Sequence, residues 1–356
     1  MPPNPGCPPI PISMALSANY GSTLLMLDRQ DQELFHKFRY RTIYALGGNG
    51  MVSIWENNLV ALTLSVSLKP LEGDHSLAAL AITQTVLKVS DQCPFLLHGT
   101  LAVAAVHDRY LGVTPLHRRT LRESYHWSQC TILFNKWLRQ PIKEEHKDPL
   151  WATAGSLGIL TFSSVNVSTK EEVWPLGAPD ASDLEWLRLG TGKMALWKLA
   201  DPMRPTSAYR GMHATFRAMH QPLPDKGIDG IPIELVRVCG LDESSTRENN
   251  PYFVIAHGLR ILLQEPIGKA SMGKCMTVTS HMHNGFDRLL ERKDPVALML
   301  LLLWYTRAGK SVWWIGLRAR YEIPAIRTYL QRYHGDNTAI QALLSQESAA
   351  QSLLCT

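Results

Sequence analysis

The sequence predicts an all-α fold: a single large helical bundle behind a disordered, Pro-rich N-terminal tail. Three observations carry this expectation. Alternating strand-like runs and short hairpin turns are scarce along the 356 residues. Asn or Asp precedes Pro at Asp148-Pro149, Asn250-Pro251 and Asp294-Pro295, each time ahead of an apolar-periodic run. The side-chain oxygen there suits an N-cap, and proline suits the first helical position. Ser182-Asp183-Leu184-Glu185 has the spacing of a capping box ahead of WLRLGTGKMALWKLA.

The tail, MPPNPGCPPIPIS, has five prolines in its first nine residues and no basic leader, so it reads as polyproline or disorder and not as a secretory signal. Helices are expected at 29–46, 94–112, 115–140, 149–166, 183–200, 231–240, 251–264, 270–292, 295–308 and 322–333, with a short last one at 336–346. The connections 168–181 and 200–230 are polar and Pro/Gly-rich, the second long for a compact domain. The expected organisation is a tail at 1–27, a helical domain at 28–346 and a tail at 347–356.

Two of these helices can be read further. CPFLLHGTLAVAAVHDRY, Cys93 to Tyr110, is apolar on all sides, the mark of a buried central helix, and Pro94 starts it. Gly99, Ala102, Ala104 and Ala105 let neighbouring helices come close. His98 and His107 are nine residues apart and point to opposite sides, so they cannot share a metal from a regular helix. Trp186 and Trp197, eleven apart, fall on one helical face. The longest apolar run, Val296 to Tyr305, has about half the length needed to cross a bilayer, so no membrane span is expected.

Charge and motifs bound the function. A net charge of +5 suits a nuclear or cytosolic protein but is too dilute for a dedicated nucleic-acid binder. Cys7, Cys93, Cys130, Cys239, Cys275 and Cys355 are widely separated, with no C-x-x-C pair, so buried reduced thiols are expected and no metal or cofactor. GKASMGKC, Gly268 to Cys275, approaches a P-loop but has Cys where the Mg²⁺-binding hydroxyl belongs. It reads better as a loop entering a helix. Neither G-x-S-x-G nor H-E-x-x-H occurs, and catalysis is not expected. The basic groups Arg118, Arg119 and Arg122, and Arg318, Arg320, Arg327 and Arg332, read as solvated helical faces.

Four stretches, in order, resemble the C-terminal regulatory region of fungal zinc-cluster transcription factors of the sterol-uptake-control-protein type. They are ELFHKFRYRTI (Glu33 to Ile43), PFLLHGTLAVAAVH, SDLEWLRLGTGKMALWKLADP and ALMLLLLWYTRAGKSVWWIG (Ala297 to Gly316). The resemblance implies an all-α regulatory domain, residence in the nucleus and control of RNA polymerase II transcription. It also implies a pocket for a sterol or other apolar small molecule, and a homodimer or a heterodimer with a full-length relative. The family's six-cysteine zinc cluster has no counterpart, since Cys7 stands alone before Cys93, so no direct DNA binding is expected from this chain. The family keeps a short segment between its early Trp and Pro-Phe-Leu-Leu-His. Here Trp55 and Pro94 are 39 apart, and 58–90 reads as an insertion or a gene-model artefact.

Helices rich in Trp and Met can enclose an apolar cavity. The pocket candidates are Phe95, Leu101, Trp151, Trp186, Trp197, Leu302, Trp304, Trp313 and Trp314. A helical lipid carrier or enzyme using the same cavity is the alternative. A polar pair converging with a shifted pKa would mark it. From sequence, His98, His107 and His257 stand isolated.

Overall fold

A computed structural model describes residues 27–56, 93–116, 118–165, 169–180, 182–283 and 285–352. The expected tail up to residue 26 and the 58–90 segment lie outside the described residues. Fifteen α-helices carry the described chain, and among the described residues there is no strand, only an isolated bridge between Lys226 and Thr246. The helices are α1 (Arg29–Lys37), α2 (Ile43–Ala45), α3 (Gly48–Ile54), α4 (Pro94–Tyr110), α5 (Leu121–Leu138), α6 (Lys147–Phe162), α7 (Glu185–Ala200) and α8 (His213–Met219). There follow α9 (Ile233–Cys239), α10 (Phe253–Leu263), α11 (Met272–Ser280), α12 (Phe286–Glu291), α13 (Pro295–Ser311), α14 (Trp313–Tyr333) and α15 (Thr338–Ser352). The all-α class is therefore as the sequence predicts. One cluster of buried apolar residues extends from Leu27 to Leu344.

Two helices form the centre. In α4 every residue from Phe95 to Arg109 is buried, as a helix apolar on all sides requires. Gly99 makes room for α5 and α6: a Cβ there would stand 3.2 Å from Cys130 Sγ and 3.4 Å from Ser156 Cβ. In α13 the run from Ala297 to Thr306 is buried, and Asp294 caps it by accepting a hydrogen bond from the Ala297 N–H at 2.8 Å. A single extended residue, Val312, then turns α13 into α14. Gly309 and Gly316 let the two backbones touch, since a Cβ on Gly316 would fall 2.5 Å from the Gly309 carbonyl oxygen.

Several boundaries differ from the sequence reading, for local reasons. The expected 29–46 helix opens into a π-helical turn at Phe38–Thr42. The 270–292 helix divides into α11 and α12 because Gly285 takes φ +113°, a left-handed value that breaks a helix. The helix expected from 322 begins at Trp313 and runs through Pro324, because burial of Trp313, Trp314, Leu317, Ile326 and Leu330 on both sides of the proline outweighs one lost hydrogen bond. The 200–230 connection contains α8, and α3 had no periodic signal.

Three expected caps are used otherwise. Helix α10 begins at Phe253 without a side-chain cap, and Asn250 accepts from the Tyr252 N–H at 2.9 Å and donates to the Cys239 carbonyl at 3.0 Å. The Asp148 carboxylate does not cap α6. It accepts from Ser207 Oγ at 2.8 Å and the Ala208 N–H at 2.7 Å, and pairs with Arg204. The capping box at Ser182 does not form either. Ser182 donates to Asp180, and Asp183 accepts from the Asp180 N–H at 2.9 Å. Leu184 enters α7 at φ 57° without a side-chain cap.

Candidate functional site

Helices α6 and α7 run antiparallel, and their aromatic residues meet in register. Trp151 and Phe162 are eleven apart on α6, and Trp186 and Trp197 are eleven apart on α7. Trp197 packs edge-on to Trp151 at 5.2 Å, and Trp186 packs edge-on to Phe162 at 4.7 Å. The shared spacing of about three helical turns makes both pairs possible at once.

Around Phe162 of α6 the rings gather from three other helices. Trp186 comes from α7, Trp304 and Tyr305 from α13, and Trp314 from α14. Trp186 also stacks on Trp304 at 5.9 Å with an interplanar angle of 12°. Trp304 is satisfied, its indole donating to the Cys275 carbonyl at 2.8 Å. The indole N–H groups of Trp186 and Trp314 and the Ser163 hydroxyl are buried with no hydrogen-bond partner among the described residues. Buried donors without partners cost stability, so this cluster is the strongest candidate for taking up a ligand. Beside Trp186, a depression of about 110 Å³ is lined by Leu184, Leu187, Arg188, His283, Asp287 and Glu291.

Of the nine sequence candidates, the structure thus brings together Trp186, Trp304 and Trp314. Trp151 and Trp197 form a second group with Phe216. Phe95 faces Phe134 and Trp137. Trp313 turns away from Trp314 to His107, 4.6 Å away, and Tyr110. Leu101 and Leu302 are fully buried core residues. Phe162 and Tyr305 belong to the Phe162 group but escaped the sequence reading, although Phe162 repeats the eleven-residue spacing.

Charge underlies the cluster. Arg318 is not on a solvated face: it is buried, lies over the Phe162 ring, donates to the Phe162 carbonyl and pairs with Glu322. Glu322 also accepts the Tyr305 hydroxyl at 2.7 Å, and burial first, then Glu322, pushes that phenol far above its ordinary pKa. Arg122 is likewise engaged, by Asp28 and Asp31. The P-loop-like stretch forms the end of the connection from α10 and the first four residues of α11, a loop entering a helix. Lys274 pairs with Glu265, and Cys275 is buried, its thiol pushed up to about 12 by burial.

His98 is not isolated. Its Nδ1 lies 2.8 Å from Nδ1 of His126, whose Nε2 lies 2.9 Å from Asp31 Oδ1. Both rings are buried, and Tyr125 packs edge-on to each. Burial, then the charge of His126, lowers His98 to about 4. Burial works upward on Asp31, yet the hydrogen bonds and charges of His126 and Arg122 outweigh it and hold the carboxyl below its ordinary value. His107 bonds Thr42 at 3.0 Å and His257 the Gly227 carbonyl at 3.1 Å. No signal in the sequence joined His98 to partners 28 and 67 residues away. No protein-family model matches the chain, and no curated protein matches it. Among the described residues no helix is long and apolar enough to cross a membrane.

Proposed function

We propose that this chain is the helical regulatory domain of a fungal RNA polymerase II transcription factor of the zinc-cluster family. In this reading it acts in the nucleus, takes up an apolar ligand or protein partner, and pairs with itself or with a full-length relative. The observation that carries the reading is where the four family-like stretches lie. They supply α1, α4, α7 and the α13–α14 hairpin, and these pack around one core: α1 on α4, α7 on α6, and α14 against both α4 and α6. Residues that looked separate along the chain are neighbours in space.

The Phe162 cluster gives the ligand its chemistry. Flat aromatic faces suit a rigid apolar body. The unpartnered indole donors of Trp186 and Trp314 suit one hydroxyl or carbonyl oxygen on it. A sterol has that form. The test is titration of the purified chain with a sterol and with a straight-chain fatty acid, read by tryptophan fluorescence and thermal unfolding. A saturable response to the sterol, weakened in Trp186→Phe and Trp314→Phe, supports the reading. No response to either molecule, together with exclusion of the chain from nuclei, defeats it.

A helical lipid-binding protein or enzyme has one observation in its favour, the His98–His126–Asp31 chain. Turnover of an ester or other acyl substrate that disappears in His126→Asn would favour it.

A further inference from the structure

Helix α5 turns Glu123, His126, Cys130 and Phe134 inward, towards α4 and α6. Its other side carries Leu121 at 85% exposure, Tyr125 at 37% and Ile132 at 57%. Spacings of four and seven residues put these three in one stripe, about 16 Å long at roughly 1.5 Å per residue. The charge on α5 beside the stripe is basic, and the carboxylates nearest its start, Asp28 and Asp31, are both paired with Arg122. Glu123, the only carboxylate on α5, is buried against Arg109, while Arg118, Lys136 and Arg139 are exposed beyond its ends.

We propose that this stripe docks an amphipathic helix of a partner protein whose apolar ridge is flanked by carboxylates. A three-turn ridge matches the stripe in length, and flanking carboxylates complement Arg118 at one end and Lys136 and Arg139 at the other. A second copy of this chain fits less well, because antiparallel pairing of α5 with itself sets Arg118 against Lys136 and Arg139. Tyr125 also packs on both His98 and His126, so a helix seated on the stripe covers the solvent side of the imidazole pair. That the partner is a transcription protein rests on the regulatory reading; the docking does not.

The test uses the full chain and two labelled peptides of roughly four helical turns with one Leu ridge, flanked by Glu in the first and by Lys in the second. The Glu peptide is expected to bind saturably, more weakly as salt rises, and at least about tenfold more tightly than the Lys peptide. Leu121→Glu with Ile132→Glu should weaken it at least about tenfold and leave thermal unfolding unchanged, since both side chains lie on the surface. Equal affinity for the two peptides, or binding that survives the double substitution, overturns the proposal. So does a dimer that the double substitution dissolves, which assigns the face to a second copy. Binding to phosphatidylserine vesicles without peptide binding overturns it as well. Sterol titration of the unaltered chain separates the two readings: peptide binding without a sterol response leaves the docking standing and removes the sterol ligand, and the converse removes the docking.

Discussion

His98 and His126 meet Nδ1 to Nδ1 at 2.8 Å inside the core, between α4 and α5. Such a contact needs one ring nitrogen to donate and the other to accept. With Asp31 accepting from Nε2 of His126, either ring can supply the bridging proton, but two protonated rings would set donor against donor. The contact admits one charged ring at most, and burial lowers His98 to about 4.

This fixes the sign of a pH effect. The unfolded chain binds a proton at His98 more readily than the folded chain does. Stability is then full above about pH 6.5, falls as the pH is lowered, and levels off below about pH 4. His107, lowered to about 4 by burial and then by Arg41, acts in the same direction. Each imidazole should cost roughly 2 kcal/mol at about pH 5. Urea midpoints at about pH 7.5 and about pH 5 measure the loss, and His98→Gln should remove roughly 2 kcal/mol of it. An unchanged slope in that variant would show that the pair does not titrate as argued.

The glycine contact between α13 and α14 gives a steric prediction. A methyl on Gly316 would meet the Gly309 carbonyl oxygen at 2.5 Å, and the backbone cannot step aside without parting the hairpin. Gly316→Ala should cost about 3 kcal/mol. A methyl on Gly158 of α6 would have nothing within 4 Å, so Gly158→Ala should gain about 1 kcal/mol through helix propensity alone. Paired urea unfolding curves distinguish the two.

Local chemistry was legible in the sequence and long-range chemistry was not. Asp294 caps α13 as read because the N–H it needs is three residues away. Asp148 has the same sequence signature but is drawn off by Arg204, Ser207 and Ala208, which only the fold brings near. The buried α4 followed from its composition. Trp186 and Trp197 were correctly placed on one face, but that Phe162 and Trp151 match them emerges only when α6 and α7 lie antiparallel. Arg318 read as a surface charge because its partner Glu322 and the Phe162 ring are invisible to a count of basic residues.

Within the aromatic cluster, three tryptophans should respond differently to the same change. Trp304→Phe removes a 2.8 Å hydrogen bond and leaves the Cys275 carbonyl unmet, so it should cost about 2–3 kcal/mol. Trp186→Phe and Trp314→Phe also lose ring area, but each removes a buried donor that had no partner, so each should cost about 1 kcal/mol less than Trp304→Phe. Thermal unfolding of the three variants gives the ordering. Equal losses would mean that all three indole groups are satisfied in solution.

Arg109 and Glu123 form the most deeply buried ion pair among the described residues, at 3.0 Å, with the guanidinium also donating to the Ser163 carbonyl at 3.1 Å. Burial raises the Glu123 pKa, with Arg109 pulling the other way. Arg109→Met removes that pull and strands the carboxyl in the core, a loss of about 3–5 kcal/mol. Arg109→Met with Glu123→Met leaves no buried charge and should recover most of that loss, because an apolar pair of similar volume needs no desolvation of ions. The Ser163 carbonyl, still deprived of its donor, should hold back about 1 kcal/mol of the recovery. A double-mutant cycle by urea unfolding measures the coupling. Additive losses in the two single variants would show that the pair contributes through packing and not through charge.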